Sequence, residues 1–221
     1  MGRKAIIFDM DGTLVDSDPI HVRVFIDFVA RRGVEIDESD YMARIHGRRN
    51  IEIFGDLLPA EDPHLMDLAK ETAFRERLAE VGLSPLPGLT ALLDCFDRHG
   101  LTAGVATNAP HANLNAVLDA TGLSARFRHK ASADDVIHGK PHPQIYLDTL
   151  TALGAAPDEA LVFEDSPSGI QAARAAGIEV IGLATSLSAE TLVGHGATFA
   201  VTDFTDPAIY RHLSLPEGAT T

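Results

Sequence analysis

The chain carries a single cysteine, Cys95, among 221 residues. One thiol closes no internal disulfide, so stability has to come from a buried core, which a chain of this length can supply. The same scarcity fits a reducing, cytoplasmic setting. Cys95 itself stands in Leu92-Leu93-Asp94-Cys95-Phe96 and reads as a small hydrophobe on a helix face. Long apolar runs are missing too. None approaches the roughly 18 residues of a membrane span. Met1-Gly2-Arg3-Lys4 is followed by only four apolar residues before Asp9, too few for a secretory signal. Basic residues are scarce: 18 Lys and Arg stand against 32 Asp and Glu, a formal net charge of −14. Such a balance argues against nucleic acid as a partner, because phosphate backbones select basic surfaces. It also sets a local requirement. An acidic protein that takes an anionic ligand must concentrate positive charge in one place, as a metal ion or as well-placed Lys and Arg.

What the chain does have is alternation. Short apolar runs at Lys4–Phe8, Thr102–Ala106, Ala160–Phe163, Glu179–Gly182 and Thr198–Val201 read as strands, the first and third nearly continuous, as strands buried on both faces are. Gly88–His99, His111–Thr121, Pro143–Leu153 and Ser168–Ala176 read as helices, and Gly100, Gly122, Gly154 and Gly177 follow them at capping positions. The alternation predicts an α/β fold, a parallel sheet with helices on both faces. From about Ser17 to Ser84 only helical patterns occur. Ile20–Arg32 carries Val22, Phe25, Ile26, Phe28 and Val29 in a stripe, and Pro63–Val81 carries Leu65, Leu68, Ala69, Phe74 and Leu78. Turn chemistry bounds the stretch on both sides. The expected domains are therefore a core of residues 1–16 and 86–221 and a helical cap of residues 17–85 inserted after the first strand.

Polar residues gather just after the strands, where open parallel sheets bind their ligands. Asp9 and Asp11 follow the first strand, two residues apart and so on one side of an extended backbone. One carboxylate can attack phosphorus, while the other protonates a leaving oxygen and later activates water. Gly12 lets the chain turn so that backbone N–H groups meet phosphate oxygens. A calcium loop needs glycine where Leu14 stands, which leaves a surface turn as the competing reading. Thr107 and Asn108 follow the second strand and either donate to a phosphate oxygen or cap a helix. Lys140, in Gly139-Lys140-Pro141-His142-Pro143, is the cation to set against a nucleophile and a phosphoryl group; a solvated loop lysine is the alternative. His138 and His142 are four apart, but Pro141 and Pro143 forbid the helix that a zinc pair of this spacing needs. Glu164 and Asp165 end an apolar strand. With Asp9 and Asp11 they make an all-oxygen set suited to Mg2+, which also offsets repulsion between an acidic protein and an anionic substrate.

Taken in order, Asp9-x-Asp11-Gly12-Thr13, Thr107, Lys140, and Glu164-Asp165 with Gly169 and Ala172-Ala173 resemble the four motifs of the haloacid dehalogenase (HAD) superfamily. The resemblance covers nearly the whole chain and is to the branch with a helical cap after the first strand, which holds β-phosphoglucomutase-like proteins and phosphatases. It implies a Rossmann-like, HAD-like parallel-sheet core with an inserted α-helical cap domain. It also implies roles: Asp9 as nucleophile and metal ligand, Asp11 as acid/base and metal ligand through its backbone carbonyl, Asp165 and Glu164 as further ligands, and Mg2+ as cofactor. Thr107 and Lys140 complete the catalytic set, with Gly12 and Asn108 at the substrate phosphate. Asp11 separates the chain from dehalogenases, which lack it because they have no leaving oxygen to protonate. Asp16-Ser17-Asp18-Pro19-Ile20-His21 resembles the hinge of the mutase-like branch, Gly47-Arg48-Arg49-Asn50 its cap substrate loop, and Lys70 its cap lysine. His21, Gly47, Arg49 and Lys70 are therefore expected to contact substrate when the cap closes. Asn50 stands where the mutase-like loop has arginine. The expected activity is hydrolysis of a small phosphorylated metabolite, of sugar-phosphate or phosphoglycolate type, through an aspartyl-phosphate. A phosphosugar mutase and a non-catalytic phosphate-binding protein are the alternatives. The expected partners exclude nucleic acid and membrane, and the chain is expected to be a monomer or homodimer.

Overall fold

The computed structural model describes residues 2–45 and 48–216. β1 (Ala5–Phe8) is followed by four helices, α1 (Asp18–Ala30), α2 (Glu38–Arg44), α3 (Asn50–Leu57) and α4 (Pro63–Val81). Strands and helices then alternate: α5 (Leu89–His99), β2 (Thr102–Ala106), α6 (His111–Ala120), β3 (His129–Ala131), α7 (Gln144–Leu153) and β4 (Ala160–Glu164). The chain continues through α8 (Pro167–Ala175), β5 (Glu179–Leu183), α9 (Ala189–Gly194), β6 (Phe199–Val201) and α10 (Pro207–His212). It divides into two compact units, residues 1–16 with 83–221, and residues 17–82.

In the larger unit six strands form one sheet in the order β3-β2-β1-β4-β5-β6, and every pairing is parallel. β1 sits between β2 and β4, with Phe8 beside both Val105 and Phe163. Strand side chains alternate between faces, and here both faces are covered. Ala5, Ile7, Val162 and Val180 pack with Ile145, Tyr146 and Leu150 of α7 and Ile170 and Ala173 of α8. On the other face Phe8 stacks on Phe163 at 5.1 Å and meets Phe96 of α5, Phe127 and Phe204 at 5.8–6.3 Å. Double coverage explains why β1 and β4 lack an alternating pattern. β3 was not expected. Its three residues, His129-Lys130-Ala131, lie at the sheet's edge, with the two polar ones half-buried, so no apolar run announces it.

The smaller unit has its own core, built from Phe25, Phe28 and Val29 of α1, Tyr41 and Ile45, and Ile53, Phe54 and Leu58 around α3. Phe25 stacks on Phe54 at 5.4 Å and meets Tyr41 edge-on at 5.5 Å. α2 and α3 have only seven and eight residues, too few to establish a period, so they passed unseen in the sequence. A reciprocal cap between Asp37 and Asp40 starts α2. α4 departs from its expected stripe: Leu65 and Leu68 are 59% and 63% exposed, whereas Lys70 is buried. Lys70 is drawn in by polar partners within the unit, described below.

Candidate active site

Two adjacent strands deliver the acids. The Asp9 N–H donates to Phe163 O at 3.0 Å, prolonging the β1–β4 ladder, so Asp9 leaves the sheet at its C-terminal edge. Glu164 is the last residue of β4 and Asp165 the next. The chain leaves β1 for β2 on one side and returns to β4 on the other, which makes this edge the switch point where such sheets open a crevice. One carboxylate oxygen from each of Asp9, Glu164 and Asp165 lies within 4.8 Å of the other two, and all three residues are buried. Lys140, on the loop before α7, donates from Nζ to Asp9 Oδ1 at 2.7 Å and to Glu164 Oε1 at 2.6 Å. Its side chain is 3% exposed, so it is a buried bridge between carboxylates and not a solvated loop lysine.

The charges of this cluster do not balance. Three buried carboxylates face one ammonium. Burial pushes the Asp9 carboxyl up to about 7 against the pull of Lys140, and the charges of Glu164 and Asp11 push the same way. Burial works against the Lys140 ammonium too, but Asp9 and Glu164 outweigh it and hold that group well above its ordinary value. The two directions look contradictory for one ion pair. They agree once the lysine is seen to serve two acids: it stays charged, and the surplus negative charge falls on the carboxylates. A buried surplus of hard oxygen donors suits a divalent cation such as Mg2+. Asp9 and Asp165 fit that role. Glu164 fits it less well, because Oε1 already accepts from Lys140 and from the Tyr146 hydroxyl at 2.8 Å, and Oε2 from the Ser166 N–H and hydroxyl at 3.1 and 2.9 Å. The Asp11 carboxylate, half-buried, is not part of the cluster.

Two glycines let the acids sit where they do. Gly12 has φ +70°, and a Cβ there would collide with the Asp165 carboxylate. Gly169, in the first turn of α8, packs its backbone on the Glu164 carboxylate, and a Cβ would fall inside it. α8 begins there because the Ser166 hydroxyl accepts from the Gly169 N–H at 3.1 Å and Pro167 suits the first helical position.

The remaining sequence candidates divide. The Thr107 N–H bonds Ala131 O at 3.0 Å, which sets Thr107 at the end of β2. Its buried hydroxyl accepts from the Ala109 N–H at 3.0 Å and keeps its own proton to donate. Asn108, expected at the substrate phosphate, bonds the Lys140 backbone in this structure. Its Oδ1 accepts from the Lys140 N–H at 2.9 Å and its Nδ2 donates to Lys140 O at 3.2 Å, clamping the loop that carries the lysine. In the helical unit, Lys70 Nζ lies 2.9 Å from both Glu71 Oε1 and His21 Nδ1, and the His21 ring stacks on Phe74 at 4.0 Å. Asn50 Nδ2 donates to Asp67 Oδ1 at 2.9 Å and Glu71 Oε1 at 2.7 Å. Arg49 is 82% exposed and paired with Glu52, and Arg48 is paired with Asp56 at 2.7 Å. Gly47 lies outside the described residues.

Four further residues bear on the site: Thr13, within the first motif, and Tyr146, Ser166 and Thr185. The Thr13 hydroxyl donates to Asp165 Oδ1 at 3.2 Å and the Thr185 hydroxyl to Gly12 O at 2.7 Å, tying the first loop to its neighbours. Ser166 was legible as a helix cap ahead of Pro167. Tyr146 was not legible, because helical periodicity assigns it only to the core.

Fold and site together define an α/β protein with a buried carboxylate centre at the edge of a parallel sheet. The chain belongs to the family described as haloacid dehalogenase-like hydrolase, whose model matches residues 3–177. It is 33% identical over 191 residues to validoxylamine A 7′-phosphate phosphatase of Streptomyces hygroscopicus subsp. limoneus, covering 86% of this chain and 89% of that one. It is 34% identical over 177 residues to hexitol phosphatase B of Escherichia coli (strain K12), covering 78% and 79%. Among solved structures, a variant of CbbY from Rhodobacter sphaeroides in complex with xylulose-(1,5)bisphosphate aligns with a TM-score of 0.81 at 27% identity, over 91% of this chain and 95% of that one. The chain is accordingly a phosphoric monoester hydrolase. Among the described residues no helix is long and apolar enough to cross a membrane.

Proposed function

We infer that this enzyme is a Mg2+-dependent phosphatase that hydrolyses a small phosphorylated metabolite of sugar-phosphate type, with Asp9 as nucleophile. The observation that carries this is the buried Asp9 carboxylate bonded to Lys140 at 2.7 Å beside Glu164 and Asp165. The names of the two relatives reported above, a validoxylamine A 7′-phosphate phosphatase and a hexitol phosphatase, support a small phosphorylated substrate. Phosphoglycolate is the other substrate type compatible with the motifs.

Asp9 attacks phosphorus with one carboxylate oxygen, forming an O–P bond as the bond to the leaving oxygen breaks. Asp11 gives its proton to that oxygen, so the alcohol departs neutral. Water then attacks the aspartyl-phosphate, Asp11 takes its proton, and phosphate leaves with Asp9 regenerated. Lys140 keeps its charge throughout and faces the oxygens on which negative charge builds. Bound at Asp9 and Asp165, with the Asp11 carbonyl as a further candidate ligand, Mg2+ supplies Lewis-acid stabilisation of the phosphoryl oxygens. Thr107 is assigned to the phosphate through its hydroxyl proton. Selection of the leaving group is assigned to the helical insertion, with His21, Arg49 and Lys70 as candidates.

A phosphosugar mutase must retain a second phosphate. Arg48, Arg49 and Lys70 are each paired with an acid, and Asn50 donates to Asp67 and to Glu71, the partner of Lys70, which favours hydrolysis. The decisive experiment assays phosphate release from a panel of phosphorylated metabolites with Mg2+, using wild type and Asp9→Asn. The variant is expected to lose turnover by roughly 10³-fold or more; near-normal release by it would exclude Asp9 as nucleophile. With glucose 1-phosphate, a 6-phosphate product in place of free phosphate would turn the assignment to a mutase.

A further inference from the structure

Tyr146 is a fully buried phenol that none of these steps uses. It lies on α7, six residues past Lys140, in the apolar layer between the sheet and α7–α8. Such a layer takes a phenylalanine without difficulty, whereas a buried hydroxyl has to find a partner. The partner here is Glu164 Oε1 at 2.8 Å, the same oxygen that Lys140 reaches at 2.6 Å. Ser166 occupies the other oxygen with its N–H and hydroxyl, and Gly169 closes the space behind the carboxylate. The Lys140 ammonium also lies 5.0 Å from the centre of the Tyr146 ring, within cation–π range.

The geometry points to Tyr146 as a positioning residue for Lys140, acting through Glu164. Its hydroxyl and Ser166 occupy both oxygens of Glu164, so that carboxylate, although within 4.8 Å of oxygens of Asp9 and Asp165, is turned on the lysine. Lys140, held from that side, is aimed at Asp9 Oδ1. On this basis Glu164 serves the lysine and the metal is left to Asp9 and Asp165. The assignment rests on Asp9 being the nucleophile.

Tyr146→Phe tests it, because the ring is kept and only the hydroxyl goes. In steady-state hydrolysis of p-nitrophenyl phosphate at saturating Mg2+, kcat is expected to fall about tenfold with KM within about twofold, the loss of one hydrogen bond to a charged group. The melting temperature should stay within about 4 °C of wild type, the shift that about 1 kcal/mol makes in a protein this size. A second readout needs no turnover: the slowly exchanging Lys140 ammonium resonance, seen by NMR of 15N-lysine-labelled protein without substrate, should shift or broaden in the variant. Because it is read without substrate, it separates failure of the positioning role from failure of Asp9 as nucleophile. An unchanged ammonium resonance overturns the proposal. So does a kcat within twofold of wild type, or a fall in kcat accompanied by a larger drop in melting temperature, which marks the hydroxyl as merely structural.

Discussion

Asp9 combines two demands that oppose each other. As the proposed nucleophile it has to be buried, so that its charge acts on phosphorus in a medium of low polarity, and it has to be ionised to attack. Burial, reinforced by the charges of Glu164 and Asp11 and opposed by Lys140, lifts its carboxyl to about 7, so the isolated site keeps a proton well above the usual carboxylate range. Metal binding requires the deprotonated form. The sign follows. Below about pH 7 each Mg2+ that binds must displace a proton from Asp9, and above it none has to be displaced. Mg2+ affinity measured by calorimetry is therefore expected to rise by up to about tenfold per pH unit below neutrality and to level off above it. An affinity independent of pH between 5.5 and 7.5, roughly the window in which Asp9 changes charge, would show that Asp9 is not the group the metal displaces.

Local elements hold these groups at their distances. α8 brings a glycine, not a side chain, against Glu164, and the substitution Gly169→Ala puts a methyl where the carboxylate lies. Overpacking of this kind costs about 1–3 kcal/mol, and here the atom displaced is the partner of Lys140. Gly169→Ala should lower both the urea midpoint and kcat, whereas an unrelated alanine on the solvent face of α8 should change neither. In the helical unit the corresponding feature is Lys70, 4% exposed and paired with Glu71 at 2.9 Å. Lys70→Ala removes one partner of a buried ion pair and leaves Glu71 and His21 without it. A loss of about 3 kcal/mol is expected, read by urea denaturation. Lys70→Met, which keeps the length without the charge, should recover little of it if charge is what the site needs.

Across the whole molecule the net charge is −14, yet the substrate is an anion. On the proposed assignment the positive charge is local, at Lys140 and at a bound Mg2+, while the net charge around it is repulsive. Salt screens a long-range field within about 10 Å at 0.1 M and acts far less on buried contacts. KM for a doubly charged phosphate ester is therefore expected to fall about twofold as ionic strength is raised from ~0.02 to ~0.15 M at fixed Mg2+. A KM that rises instead would mean that an exposed basic patch, such as one around Arg48 and Arg49, captures substrate directly.

The alternation of apolar runs and helical periods makes the parallel sheet legible from the chain alone, since β1 and β4 are buried on both faces and are nearly continuously apolar. The acids are legible for a related reason: charged residues directly after such runs have no place in a core unless something answers their charge. What one dimension does not carry is direction. Nothing in the order of residues says that Asn108 clamps the Lys140 backbone, that Glu164 spends both oxygens on lysine, tyrosine and serine, or that Lys70 turns inward while Leu65 and Leu68 face out. Those outcomes depend on which donors the packed elements bring within about 3 Å of a given oxygen. Residue type and spacing were enough to nominate Asp9, Asp11 and Asp165, which follow strands, and motif order to nominate Lys140 on the loop before α7. The tertiary structure decided how each is held, because a hydrogen bond between residues 18, 24 or 131 positions apart exists only once the chain has folded.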